Sequence, residues 1–190
     1  MRTRIGTDLL LGWLLLLPAL QVPAVNSPRP GPYYEDDRML VLLVPRTPTQ
    51  MAAFYEARGF PQSALDRIVQ TCFITLHIEN KSNEVLWVDL GQWRFTSNGK
   101  DIARLDEHYW QQQWNEINLR QASRSTFGWT QFPALRDLQP DEPVGGNMVF
   151  PGDVDSVTVD AVLHTGADRS GAEIRLGFGN VGCPKGVVAP

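Results

Sequence analysis

Residues 72–80 read Cys-Phe-Ile-Thr-Leu-His-Ile-Glu-Asn. Cys72, Ile74, Leu76 and Ile78 fall on one side of an extended chain, and Phe73, Thr75, His77 and Glu79 on the other. That is the period-two alternation of a strand with one apolar face, and it puts the cysteine on the core side. The rhythm recurs downstream. Asn80 to Asn83 is a polar turn, after which Leu86, Val88 and Leu90 share a face. Trp93 and Phe95 then share the other parity, which predicts a bulge near Gly91. Ser97-Asn98-Gly99-Lys100 holds a tight-turn dipeptide, and Ile102 to Leu105 is expected to return as a short strand. Asn147 to Phe150, then Val157 to Leu163, then Ile174 to Phe178 supply three more strands. Upstream, the continuous apolar run Met39–Val44 (MLVLLV) reads as a strand buried on both faces.

Two stretches break this pattern. Thr47-Pro48-Thr49-Gln50 can cap a helix, start it with proline and close a capping box. Met51, Phe54 and Tyr55 form its apolar face, and Gly59 is a natural stop. Pro61 can open a second helix with Ala64, Leu65, Ile68 and Val69 as its stripe, giving a helical hairpin over 47–70. The second break is 106–122. Asp106 can cap a helix there, and Leu105 and Trp110 stand where a hydrophobic staple places them. Tyr109, Trp110, Gln113, Trp114 and Ile117 keep helical spacing, so 106–122 is expected to be a helical insertion. Residues 123–146, with Pro133, Pro140, Pro143 and Gly145-Gly146, are expected to be mostly loop.

The N-terminus bears on the compartment. Arg2 and Arg4 precede a twelve-residue apolar run, Leu9–Leu20. A membrane-spanning helix needs about 20 residues, whereas a run of this length suits the core of a signal peptide. Val22 and Ala24 fit the small-x-small rule, so 1–24 is expected to be cleaved; the alternative is an uncleaved anchor. Residues 25–37 (VNSPRPGPYYEDD) read as an extended, mobile linker. Residues 38–185 then form one β-rich domain, and 186–190 a frayed tail. Without Arg2, Arg4 and Asp8 the charged counts fall from 17 basic and 21 acidic to 15 and 20, a net charge of −5. An acidic chain without a basic run is unsuited to nucleic acid, and no membrane span is expected after cleavage.

Export also gives the cysteines a meaning. Cys72 and Cys183 are the two cysteines of the chain, and an isolated pair in an oxidising compartment predicts a disulfide. Two buried thiols are the alternative. Val181 and Cys183 have the opposite parity from Ile174, Leu176 and Phe178. A bridge therefore requires a bulge near Gly177, Gly179 or Gly182, or a cysteine beyond the end of the strand.

Leu138-Gln139-Pro140-Asp141-Glu142-Pro143, followed by Gly146-Asn147-Met148-Val149-Phe150-Pro151, resembles a pattern of bacterial extracytoplasmic immunoglobulin-like domains, among them telokin-like domains of unassigned function. In those domains a Leu-x-Pro-Gly-Glu turn precedes a glycine and a Val-Phe-Pro strand; Asp141 stands here in place of the turn glycine. The match spans about fourteen residues of 190. The resemblance implies an antiparallel, immunoglobulin-like β-sandwich and no catalytic residue. The fold expected is therefore mainly β: such a sandwich with an N-terminal αα-hairpin and one helical insertion.

Chemistry is sparse. His77, His108 and His164 form no His-x-His or His-x-x-x-His pair, and no metal site or cofactor motif is expected. There is no Gly-x-Ser-x-Gly elbow. Asn80-Lys81-Ser82 is a formal glycosylation sequon, meaningful only in a eukaryotic secretory pathway. The aromatics are the suggestive feature. Tyr109, Trp110, Trp114 and Trp129 cluster in and after the insertion, beside Gln111, Gln112 and Gln113, and indoles recur where binding needs large rigid contact area. They are the candidate binding residues; the competing reading is that they anchor the insertion on a sheet. The function expected is a periplasmic or secreted, non-catalytic binding or accessory protein of the cell envelope, with an envelope protein or a glycan as partner. The alternative is a hydrolase or metal-dependent enzyme whose site is assembled from remote residues.

Overall fold

The computed structural model describes residues 29–186. The signal segment 1–24, the start of the linker and residues 187–190 of the tail lie outside the described residues. The elements in chain order are β1 (Tyr33–Glu35), β2 (Met39–Arg46), α1 (Pro48–Glu56), α2 (Gln62–Ile68), β3 (Thr71–Asn80), β4 (Leu86–Asp89), β5 (Arg94–Ser97), β6 (Lys100–Asp101), α3 (Glu107–Glu116), α4 (Gln121–Trp129), β7 (Leu135–Leu138), β8 (Pro143–Pro151), β9 (Ser156–Thr165) and β10 (Glu173–Gly182). The described chain is thus mainly antiparallel β with four helices.

One sheet has the order β1-β2-β3-β8. In the other, β4 and β5 run end to end along one edge of β9, β10 takes its other edge, and β7 and β6 lie outside β4 and β5. The alternation of β3 sorts its two faces. Cys72, Ile74, Leu76 and Ile78 join Met148 and Phe150 of β8 in a core shared with Val88, Phe95, Val159, Leu163 and Phe178 of the other sheet. Phe73 and Val149 point the other way, into a second apolar cluster built from all four helices. The first sheet therefore has a buried face on each side, and this places the helices where they form a site.

The helix signals act as their chemistry predicts. Thr47 accepts from the Gln50 amide N–H while the Gln50 side chain accepts from the Thr47 N–H, closing the capping box. Gly59 follows α1 at φ 76°, a conformation that costs glycine little. Asp106 accepts from the Tyr109 N–H at 3.0 Å, and Leu105 packs in the same cluster as Trp110.

Several expectations need correction. The segment 25–37 is not a free linker throughout, because Tyr33, Tyr34 and Glu35 pair with Leu42, Val41 and Leu40. Tyr34 packs against the core, and its hydroxyl donates to Asp36 at 2.9 Å. The insertion holds two helices rather than one. Asn118 turns the chain at φ 50°, and α4 begins directly after Arg120, with no capping side chain to announce it. Residues 123–146 accordingly contain most of α4, all of β7 and the start of β8 rather than mostly loop. Gly145 and Gly146 belong to β8, paired with His77 and Leu76. A Cβ on Gly146 would stand 2.5 Å from the Phe132 nitrogen, so this glycine permits a close crossing of the chain rather than breaking the strand. Near Gly91 there is a turn instead of a one-residue bulge. The six steps from Val88 to Arg94 face three steps of β9, from Leu163 to Asp160. The return strand after Asn98-Gly99 is confined to Lys100–Asp101.

The parity problem at Cys183 resolves as required. β10 changes register between Phe178 and Val181, with Asn180 at φ 51°, and Cys183 follows the strand end. Cys72 and Cys183 are joined, 111 residues apart in sequence. The sequon asparagine is not available to solvent. Asn80 is buried, and its amide donates to the carbonyls of Glu84 at 2.7 Å and Leu138 at 3.0 Å, fixing the turn instead. Asp141 has φ 61°, the left-handed geometry that suits glycine at this place in the turn.

Candidate functional site: the cleft between α3 and α4

The site starts from how α4 is held. Arg124 reaches back to the C-terminal end of α3, where carbonyls lack intrahelical partners. Its Nε donates to the Leu119 carbonyl at 2.7 Å, Nη2 to the Trp114 carbonyl at 3.0 Å, and Nη1 to Asn115 Oδ1. Arg120 donates to the Gly59 carbonyl, tying the same turn to the end of α1. Beneath, Phe127 sits 4.6 Å from the Trp110 ring, 5.1 Å from Trp114 and 5.3 Å from Tyr55. Each such aromatic pair contributes about 0.5–1.5 kcal/mol beyond its buried area.

Tyr55 is the polar anchor of this layer. The Thr130 hydroxyl donates to the Phe127 carbonyl, so the Tyr55 hydroxyl donates to Thr130 Oγ1, at 2.7 Å. The Gln131 amide donates to the Tyr55 oxygen at 3.3 Å. Burial raises the Tyr55 pKa to about 12, and the hydrogen bonds from its neighbours offset only part of this.

Between α3 and α4 the chain leaves a half-open cleft of about 1180 Å³. Its walls include the aromatic rings of Trp110, Trp114, Phe127 and Trp129, the amides of Gln111, Asn115, Gln121 and Gln131, and Arg104 and His108. The four sequence candidates therefore part company. Trp110 and Trp114 are buried and stacked on one another at 4.8 Å, and their rings form the inner wall. Tyr109 belongs to the helical apolar cluster and is not among the cleft residues. Trp129 is 84% exposed at the end of α4, although an indole is usually covered. Gln113 faces away and accepts from Arg67. The Trp110 Nε1–H is buried with no acceptor in reach among the described residues, a cost cores normally avoid.

Sequence reasoning missed Arg104. It stands between the β6 residues and Asp106, with no motif around it. The neighbouring backbone is fixed, with Ile102 N–H on the Phe95 carbonyl at 2.9 Å and Leu105 N–H on the Val149 carbonyl at 2.8 Å. The residue is half-buried and is one of those lining the cleft. Burial lowers its pKa below the ordinary arginine value, with the Asp106 carboxylate opposing the shift, and it stays charged.

The histidines do not converge. His77 lies on β3, His108 lies in α3 at the cleft, and His164 lies on β9 with Nε2 3.1 Å from Gln92 Oε1. Among the described residues no three His, Cys, Asp or Glu side chains come together at metal-binding spacing. Among them also, no helix is long and apolar enough to cross a membrane.

No family model matches the chain, and no curated protein matches it. Among solved structures it is similar to the yjhA protein from Bacillus subtilis, with a TM-score of 0.39 and 6% identity over 70% of this chain and 78% of that one.

Proposed function

We propose that the protein is an exported, non-catalytic binding protein of the cell envelope whose ligand occupies the cleft between α3 and α4. One observation carries this reading. Trp129 holds a rigid indole out to solvent beside a cleft whose inner wall is aromatic and whose rim is amide. Ligand sites combine these elements: an apolar lining with a few oriented polar groups. The cleft rests on a helix pair that is pinned rather than loose, so its geometry exists before binding.

Export and a periplasmic or secreted location are part of the same proposal. The signal-like N-terminus motivates them, and a Cys72–Cys183 bridge is the chemistry such a compartment permits. An immunoglobulin-like β-sandwich is the architecture we assign. Two antiparallel sheets packing one core support it, as does Asp141 in the glycine conformation of the resembled turn. The helices over 47–70 are its αα-hairpin. The enzyme alternative has one histidine at the cleft, His108, and we do not adopt it.

The test is capture from envelope extract by the protein purified from cells expressing the whole chain, against Trp129→Ala. The side chain is exposed, so the variant should keep its fold by circular dichroism while losing most of the captured material. Equal capture by both proteins would remove the cleft as the site.

A further inference from the structure

We infer that the cleft takes a sugar chain bearing a carboxylate, with Arg104 as the group that pairs with it; this rests on the cleft being the binding site. Arg104 is set apart by its lack of partners. Every other arginine among the described residues, from Arg29 to Arg175, has a hydrogen bond or an ion pair: Arg46 on Thr75, Arg58 on the Phe54 carbonyl, Arg94 on Asp101, and so on. Arg104 has neither, although it is half-buried and its backbone is held on both sides. A partly desolvated guanidinium presents a planar fork that matches a carboxylate in two parallel hydrogen bonds.

The amides argue for hydroxyl groups around that carboxylate. Each is held at one end and open at the other. Gln111 Nε2 donates to Glu107, Gln131 Nε2 donates to Tyr55, Phe127 and Thr130 oxygens, and Asn115 Oδ1 accepts from Arg124. Among the described residues this leaves the Gln111 and Gln131 carbonyl oxygens and the Asn115 amino group without hydrogen-bond partners. They are oriented, neutral acceptors and donors, which suit alcohols. The exposed Trp129 face suits the C–H face of a sugar ring. Charge sets an upper limit on the ligand. Asp106 and Glu107 also border the cleft and the chain is net acidic, so isolated carboxylates among hydroxyls fit better than a dense polyanion such as nucleic acid.

The probes are oligosaccharides of galacturonate, of mannuronate, and of alternating glucuronate and N-acetylglucosamine, each beside its carboxyl-reduced neutral counterpart. Binding is measured by calorimetry on the protein purified from cells expressing the whole chain. At least one acidic series should bind, with carboxyl reduction and Arg104→Gln each weakening it roughly tenfold. Arg104→Lys, which keeps the charge but not the fork, should recover only part of that loss. Equal affinity for acidic and reduced sugars, or wild-type affinity in Arg104→Gln, overturns the inference. So does failure of every acidic series. Where Trp129→Ala still abolishes envelope capture, such a failure leaves the cleft as the site of a different ligand, a protein included. Where Trp129→Ala changes nothing, the binding reading falls as well.

Discussion

Removing both cysteines tests how the two ends of the domain are held. Cys72 is the second residue of β3, an inner strand of the first sheet, and Cys183 follows the last residue of β10, an edge of the second. The bridge closes a loop of 111 residues. In the chain-entropy model a loop of that length stabilises the native state by about 5 kcal/mol. Both residues are also in the core, so Cys72→Ala with Cys183→Ala removes sulfur contacts as well, and the two losses add. Against the 5–15 kcal/mol typical of a whole domain, the double variant should be at best marginally folded. Urea unfolding monitored by tryptophan fluorescence measures this, on the wild type with and without reductant and on the double variant. Reduced wild type should lose about 4–5 kcal/mol relative to the oxidised protein, and the double variant more than that, by the lost sulfur packing. A loss below about 1 kcal/mol in both would refute the reasoning, because the loop would then restrain little in the unfolded chain.

Two further outcomes concern the helical layer. Phe127→Ala should cost about 3–5 kcal/mol in the same urea assay, since it opens a cavity among Tyr55, Trp110 and Trp114; a cost under about 1 kcal/mol would mean that α4 does not lean on this ring. Tyr55 should titrate well above the ordinary tyrosine value of about 10, with the midpoint of its phenolate absorbance near about 12 in the folded protein. The sign follows from the raised pKa. The contribution is fully present below the ordinary tyrosine value of about 10 and is lost as pH climbs from there through the folded value. Tyr55→Phe should therefore flatten the alkaline fall in stability.

How much of this was legible in the sequence depended on which signals are local. Period-two alternation marked β3, β9 and β10, and the cap and staple residues at Thr47, Leu105 and Asp106 announced α1 and α3. These cues need only neighbours a few residues away. What was missed needs tertiary partners. α4 has no capping side chain and buries only Ser123 and Phe127; Arg124, reaching back to α3, holds it. Gly145-Gly146 looked like a loop because two glycines usually leave a strand, yet the crossing at Phe132 requires one of them inside it. The candidate site was legible as a set of aromatics and illegible as a geometry. Sequence cannot say that Trp110 and Trp114 turn inward as a wall while Trp129 stays in water. Arg104 carried no signal at all, since its distinguishing property is the lack of a partner in space.

The cleft itself is tested most directly through the indole N–H signals of the tryptophans in a proton–nitrogen correlation spectrum. Trp87 Nε1 donates to the Gly166 carbonyl at 2.7 Å and Trp93 Nε1 to the Val162 carbonyl at 2.8 Å, both on the far sheet, so these two serve as internal controls. On titration with fractionated envelope extract, the Trp129 signal should move, with Trp110 responding at the inner wall, while Trp87 and Trp93 stay in place. A stationary Trp129 signal in fractions that the protein demonstrably captures, or movement confined to Trp87 and Trp93, would contradict the account.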